Sequence, residues 1–386
     1  MIKTFMVSTS EIDDIELAAE DIISQLDKLE LCANTIGILS CHYEFIYSGA
    51  MKAICESIPF EVAGAVTASH ASGENMGILL LTIMILTSDD VYFSVKSTPS
   101  LHSGINNVLE KTCEDIFSEN NEKPTFAFSF FAHIENFPED EYVSIFTRVS
   151  GGVPCFGTVA LESSDTFEHS YVCVNGEHYR DRAVMILVYG NLQPRFLTAT
   201  ISAGKILPQR AMITKSDRNI LMEVNGYSVH KYLEDLGVGD VLDMQYASSS
   251  LPFFLDYGDG TPMVSRVFID QTPEKYAVSA GILPEGATMY VGVFDKEDVL
   301  LTTSQVIDKA LGSSDCISGM LMYSCMTRSI SLGGDIMAEL ELVKNKIGNK
   351  FPFMMSYSGG EICPVQNADA NYINRCHNNT FILCMF

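Results

Sequence analysis

The chain has 386 residues, with 24 Lys and Arg against 49 Asp and Glu, giving a formal charge of −25. Acid outnumbers base two to one and no run of Lys or Arg occurs, which excludes generic affinity for nucleic acid or an anionic membrane surface, because both need clustered cations to displace counterions. At 47% hydrophobic and 19% charged residues the composition is that of a folded chain, long enough for about two domains with a sizeable core.

The first residues, MIKTFMVSTSEIDD, carry one Lys and then carboxylates, with no apolar stretch of the kind a secretory signal needs. The most apolar run, Met76–Thr87, is 12 residues long. A spanning helix needs about 20, so the run reads as a buried strand or two strand segments, and no membrane contact is expected. The 11 cysteines contain no Cys-x-x-Cys and the eight histidines no His-Glu-x-x-His, so neither a zinc site nor any cofactor is expected. Most of the cysteines stand in apolar stretches, as buried reduced thiols would, and the expected location is cytoplasmic. The glycosylation pattern met at Asn378 reads as coincidence.

In chain order, Ile2–Val7 reads as a strand and Ser10-x-x-Asp13 as a capping box opening a helix with apolar positions Ile12, Ile15, Ala19, Ile22, Ile23 and Leu26. Strands are predicted at Thr35–Ser40 and Phe60–Val66, with a short helix over Gly49–Ser57 between them. A helix over Ser103–Phe117, the aromatic strand Thr125–Phe131, a helix over Glu139–Val149 and a break at Gly151–Pro154 follow. Asn175-Gly176 and Asn225-Gly226 are turn signals, and Ser228 can cap a helix that runs to Leu236 and stops at Gly237. Beyond it, strands are predicted at Met263–Ile269, Tyr276–Ala280, Thr288–Phe294, Ile317–Tyr323 and Phe381–Phe386, and helices at Glu297–Leu311 and Asp335–Ile347. The pattern is α+β, with mixed β-sheets flanked by helices and too irregular for a doubly wound sheet. The Asn225-Gly226 turn is the best boundary between two halves in close contact, 1–226 and 227–386.

One internal resemblance stands out. Residues 36–60 and 317–353 each run through an apolar stretch ending in Ser-Cys (Ser40-Cys41, Ser324-Cys325), a loop with Gly, an amphipathic helix and a Pro-Phe opening a strand, and each continues to a Gly-Glu, at Gly73-Glu74 and Gly360-Glu361. This reads as an internal duplication, with the loops after Cys41 and Cys325 equivalent.

No Gly-x-Ser-x-Gly, Walker A or dinucleotide-binding Gly motif is present. Informative residues cluster near the C-terminus in Tyr323–Arg328, Tyr357–Glu361 and Cys376–Thr380. Strand ends of this kind let side chains converge on a pocket. Arg328 has the geometry to grip a carboxylate, Glu361 to receive an amine or to hold Arg328 as an ion pair, and Gly360 to admit a ligand close to the backbone. Cys325 with His377 would be the pairing of a cysteine nucleophile.

With these residues the chain resembles the FIST family (F-box and intracellular signal transduction proteins). The N-terminal FIST half is similar over Pro59–Gly77, Gly151–Ala160, Val174–Glu177 with Arg182–Ile186, and Ala211–Gly226. The C-terminal half is similar at Tyr323–Arg328, Pro352–Glu361 and His377–Thr380. The order and spacing of these segments carry the resemblance. It implies a sensory module that binds a small ligand, an amino acid or similar carboxylate metabolite, and passes its state to a signalling partner such as a histidine kinase or receptor, and it implies no enzymatic activity. It leaves no room for an attached output domain. The looser stretch Ala65–His70 weakens the expectation of a ligand site in the N-terminal half.

The expected site is therefore Cys325, Arg328, Tyr357, Gly360, Glu361 and Asn378, with no catalytic residue and no metal. Two alternatives compete: a cysteine-dependent hydrolase or transferase using Cys325, and a scaffold that binds a protein partner without any ligand.

Overall fold

Three stretches of the chain run through one order of elements: strand, helix, strand, helix, strand, hairpin, strand. The computed structural model describes residues 2–102, 105–119, 122–135, 137–162, 167–239, 251–313 and 316–386. The first repeat comprises the strands Lys3–Thr9, Asn34–Cys41, Glu61–Val66 and Leu81–Ser88, the helices Ile15–Leu26 and Ala50–Ser57, and the hairpin His70–Ser72/Met76–Gly77. The second has strands Val91–Ser97, Phe126–Phe131, Cys155–Val159 and Ala183–Gly190, helices Ile105–Ser118 and Glu139–Val149, and hairpin Val172–Val174/Glu177–Tyr179. The third has strands Arg195–Ala199, Met320–Cys325, Phe353–Ser358 and Phe381–Met385, helices Lys296–Leu311 and Ala338–Ile347, and hairpin Gly360–Gln366/Tyr372–His377. The likeness between residues 36–60 and 317–353 is thus present in space, and 126–156 supplies a third copy.

Each repeat gives four strands to a sheet in the order first, last, second, third, with only the second and third parallel. The remaining two strands of every sheet come from another repeat. The second repeat's hairpin pairs with Glu61–Val66, the third's with Cys155–Val159, and the first's with Phe353–Ser358. This cyclic exchange closes three six-stranded sheets around one core, where Ile38, Phe128, Phe156, Leu321, Tyr323 and Ile382 meet. The outer face of each sheet is covered by its own helices. Strands buried on both faces read as continuous apolar runs, which is why Leu81–Ser88 is buried throughout.

Two glycines show how tightly the sheets are built. A Cβ on Gly64 would stand 1.9 Å from Leu39 O, and one on Gly157 would stand 1.7 Å from Ser129 O. These two glycines are equivalent positions in the first and second sheets, and the third sheet has Met355 there, each facing an exchanged hairpin.

Local signals mostly held, with displacements. Asp14, not Ser10, caps the first helix, accepting from Leu17 N at 3.0 Å. Ser228 caps Val229–Asp235 as predicted. The predicted strand Met263–Ile269 is two strands, Val264–Arg266 and Phe268–Gln271, because the chain changes partner at Val267 from Phe253–Leu255 to Ala277–Ser279. The Asn225-Gly226 turn closes the hairpin Ile220–Val224/Tyr227–Ser228. That hairpin belongs to a separate antiparallel sheet, spanning Ala211–Asp217 to Thr288–Val291, with a small core of its own.

Candidate ligand site

The parallel strands of the third sheet bring two of the C-terminal motifs side by side, because Cys325 is in register with Ser358 and Ser324 with Tyr357. Alternation along the strands then sends neighbouring residues to opposite faces of the sheet. The expected site is divided accordingly.

On the outer face lie Ser324, Tyr357 and, at the start of the short helix Met326–Ser331, Arg328. Their shared partner is Glu339, on the first turn of the helix Ala338–Ile347. Arg328 Nη2 and Nε donate to Glu339 Oε1 at 2.8 and 3.1 Å, and Tyr357 OH and Ser324 Oγ donate to Glu339 Oε2 at 2.9 and 2.8 Å. The guanidinium also donates to Thr200 O, Val299 O and the hydroxyl of Thr303 at 3.0, 3.1 and 2.7 Å. Both Arg328 and Glu339 are fully buried. The ion pair expected between Arg328 and Glu361 is thus replaced by Arg328–Glu339, and Arg328 spends its donors on the protein. Glu339 was hidden in the sequence as one acid in the run AELELVKNK.

On the inner face Cys325, Ser358 and Glu361 converge. Gly360 and Glu361 open the exchanged hairpin, with Glu361 in register with Thr158 on one side and His377 on the other. Ser358 Oγ donates to Glu361 Oε1 at 3.3 Å, while Oε2 has no hydrogen-bond partner among the described residues. Glu361 is fully buried, and burial pushes its carboxyl well above the usual range, opposed by the charge of Arg328 and by the hydrogen bond from Ser358. The turn after the hairpin ties back to the same strand end, since Cys325 N donates to Thr380 O at 3.0 Å and Thr327 Oγ1 to Asn379 Oδ1 at 3.1 Å. Asn378 is buried in that turn, and its Oδ1 has no partner among the described residues.

The pseudo-threefold arrangement provides an internal comparison. The residue in register with Ala65 of the first sheet is Val172, where Glu361 faces Thr158 in the second. On the neighbouring strand, Ser40 and Phe130 hold the place of Tyr323, since the three pair with Ala65, Thr158 and Ser356, which face Val172, Glu361 and His70 of the exchanged hairpins. The sequence alignment of Ser40-Cys41 with Ser324-Cys325 is therefore out by one residue, and a one-residue slip exchanges the two faces. Nor does Glu74 match Glu361, because it lies in the turn between His70–Ser72 and Met76–Gly77. Around Ser40 the buried groups are neutral: its hydroxyl is 2.7 Å from both Thr67 Oγ1 and Ser356 Oγ. Among these equivalent positions only Glu361 places an acid inside the core.

Cys325 and His377 do not form a nucleophilic pair. Burial pushes the Cys325 thiol up to about 12, and its sulfur accepts from Thr327 Oγ1 at 3.2 Å. His377 Nε2 is 3.2 Å from Cys363 O, and burial lowers the ring to about 4. A neutral thiol and a neutral imidazole are the reverse of a thiolate–imidazolium couple.

A cleft of about 700 Å³ opens at the other end of the sheets, lined among others by Thr125, Pro154, Leu192, Arg195, Phe196 and Tyr372. None of the six expected site residues lines it. The buried group around Glu361 is the better candidate, because a buried carboxyl oxygen without a partner is costly and the cleft contains nothing comparable. No helix among the described residues is long and apolar enough to cross a membrane, and no group of three or more metal-ligating side chains occurs among them.

No curated protein matches the chain. The FIST N domain family matches residues 35–227 and the FIST C domain family residues 229–364, so that the two adjoin and cover most of the chain. The segments that carry the resemblance lie inside or beside these matches, and the chain belongs to the FIST family of signal-transduction domains.

Proposed function

We propose that this FIST protein is a cytoplasmic small-ligand sensor whose ligand bears an amine, as an amino acid or similar carboxylate metabolite does. The observation that supports the reading is the Glu361 carboxyl, fully buried, with Oε2 lacking a partner among the described residues. An ammonium donor would satisfy that oxygen, with Cys325, Gly360 and the amide of Asn378 as neighbours. Arg328 and Tyr357 belong to the site as positioning residues, fixing the strand end from behind through Glu339. Ligand binding would favour one arrangement of the strand ends over another, and a signalling partner such as a histidine kinase or receptor would read the shift.

A thermal-shift or calorimetric screen of amino acids and related amines tests the reading. A ligand at about 100-fold over its Kd adds about 2.7 kcal/mol of stability, and Glu361→Gln abolishes that gain. Absence of stabilisation by any of them at millimolar concentration sinks the proposal.

A further inference from the structure

Residues 200–295 have no counterpart in the other two repeats. The link from first strand to first helix is residues 10–14 in the first repeat and 98–104 in the second, whereas in the third it folds into the separate antiparallel sheet. This insertion is fastened to the surroundings of Glu361 at two places.

At its stem, Arg328 Nη1 donates to Thr200 O at 3.0 Å and Nη2 to Val299 O at 3.1 Å, so one guanidinium spans the outgoing and the returning chain. Ser202 N reinforces the junction, donating to both carboxylate oxygens of Asp298 at 3.3 and 3.1 Å. Arg328 follows three residues after Cys325, and its charge reaches Glu361. At the insertion's far edge, Arg266 is fully buried and reaches the three-sheet body, with Nη2 on Asp140 Oδ1 at 2.7 Å and Nη1 on Cys376 O at 3.0 Å. Cys376 adjoins His377, the residue in register with Glu361. On the same strand Arg375 pairs with Asp259 of the insertion, its guanidinium 4.5 Å from the centre of the Tyr257 ring. A buried guanidinium that bridges two bodies tolerates one relative placement, because losing an acceptor leaves charge unpaired in low dielectric.

We infer that the inserted sheet is the reporter of the Glu361 site, so that the state of that site and the docking of the insertion are linked, each shifting the other. The inference rests on reading the surroundings of Glu361 as the ligand site, but the linkage is measurable without ligand. In the full chain, Asp259→Asn unties a half-exposed contact with Arg375. Peptide-resolved alkylation then reads Cys325, with Cys384 of the central core as the reference for global opening. Loss of such an ion pair eases local opening about two- to fivefold. The expected result is faster labelling of Cys325 by that factor, unchanged Cys384, and no effect of Asp308→Asn, which removes the Lys346 pair on the outer helices. In the reverse direction, Glu361→Gln changes hydrogen exchange in 253–257 and 264–271 while leaving 81–88 unchanged. An unaltered Cys325 rate, parallel acceleration of Cys325 and Cys384, or exchange in the insertion indifferent to Glu361→Gln overturns the inference. A chain stabilised by an amino acid but showing none of these effects keeps its ligand site and loses the linkage, and the opposite pattern keeps the linkage and loses the ligand assignment.

Discussion

Arg328 and Glu339 meet at 2.8 Å with neither side chain exposed, and the same carboxylate collects Tyr357 and Ser324 from two parallel strands. One acid on a helix thus fixes the ends of both strands that carry the candidate site. Removing one partner of a buried pair leaves the other charge uncompensated, which costs about 3–5 kcal/mol. Glu339→Gln and Arg328→Met are each expected to destabilise by that order in chemical denaturation, with Arg328→Lys intermediate because it retains charge but not the fork of donors. A loss under about 1 kcal/mol for Glu339→Gln would contradict this account.

Glu361 makes stability fall as pH rises. Its folded-state pKa is well above the ordinary 4.5, chiefly through burial, so the folded chain holds a proton that the unfolded chain releases. Its contribution is therefore complete below about 4.5 and is lost as pH rises through the folded value. Asp140, raised by burial against the opposing charge of Arg266, acts in the same direction. Glu361→Gln is expected to stabilise the chain as pH rises above about 4.5 and to flatten this decline in melting temperature against pH. A variant less stable than the parent throughout that range refutes the expectation.

The acid side is governed by buried imidazoles. Burial lowers His70 to about 3 and His377 to about 4, from an ordinary 6.5. Their contribution is complete above 6.5 and is lost as pH falls toward those values, because the unfolded chain takes up protons first. His70→Gln is expected to make the fall in stability below pH 6 shallower, measured by urea unfolding at several pH values.

Thiol chemistry separates the sensor from the cysteine enzyme. Cys316 is exposed and Cys32 half-buried, while the other nine cysteines are buried. Alkylation of the native chain is expected to modify Cys316 first and Cys32 next, with Cys325 following only as the structure opens. Preferential modification of Cys325 would restore the hydrolase or transferase reading.

The two glycines that face backbone oxygens allow a direct check of the repeat. With a Cβ forced to within 2 Å of a carbonyl oxygen, Gly64→Ala and Gly157→Ala each require the strands to part, an overpacking cost of about 3 kcal/mol or more. Both variants should lose soluble expression or show a strongly lowered melting temperature, whereas Gly204→Ala, with no atom within 4 Å of the added carbon, should change little.

The sequence by itself determined the local elements and the family. Period-2 and helical spacing act within a few residues, and so Phe126–Phe131, Glu139–Val149 and the Ser228 cap were readable without a structure. The likeness of residues 36–60 to 317–353 was legible for the same reason, because a strand, loop, helix and strand in order leave a continuous trace. Cys325, Gly360, Glu361 and Asn378 were picked out as one polar group near strand ends, and the fold gathers them at one end of the third sheet and its exchanged hairpin. What only the tertiary structure decided was which polar residues meet. Arg328 chose Glu339 over Glu361 because strand register puts adjacent residues on opposite faces, and register is fixed by pairing between residues far apart in the chain. The third repeat, the exchange of hairpins and the insertion at 200–295 were invisible for the same reason. They are relations between strands separated by up to about 280 residues, as His70 and Ser356 are, and no local pattern records them.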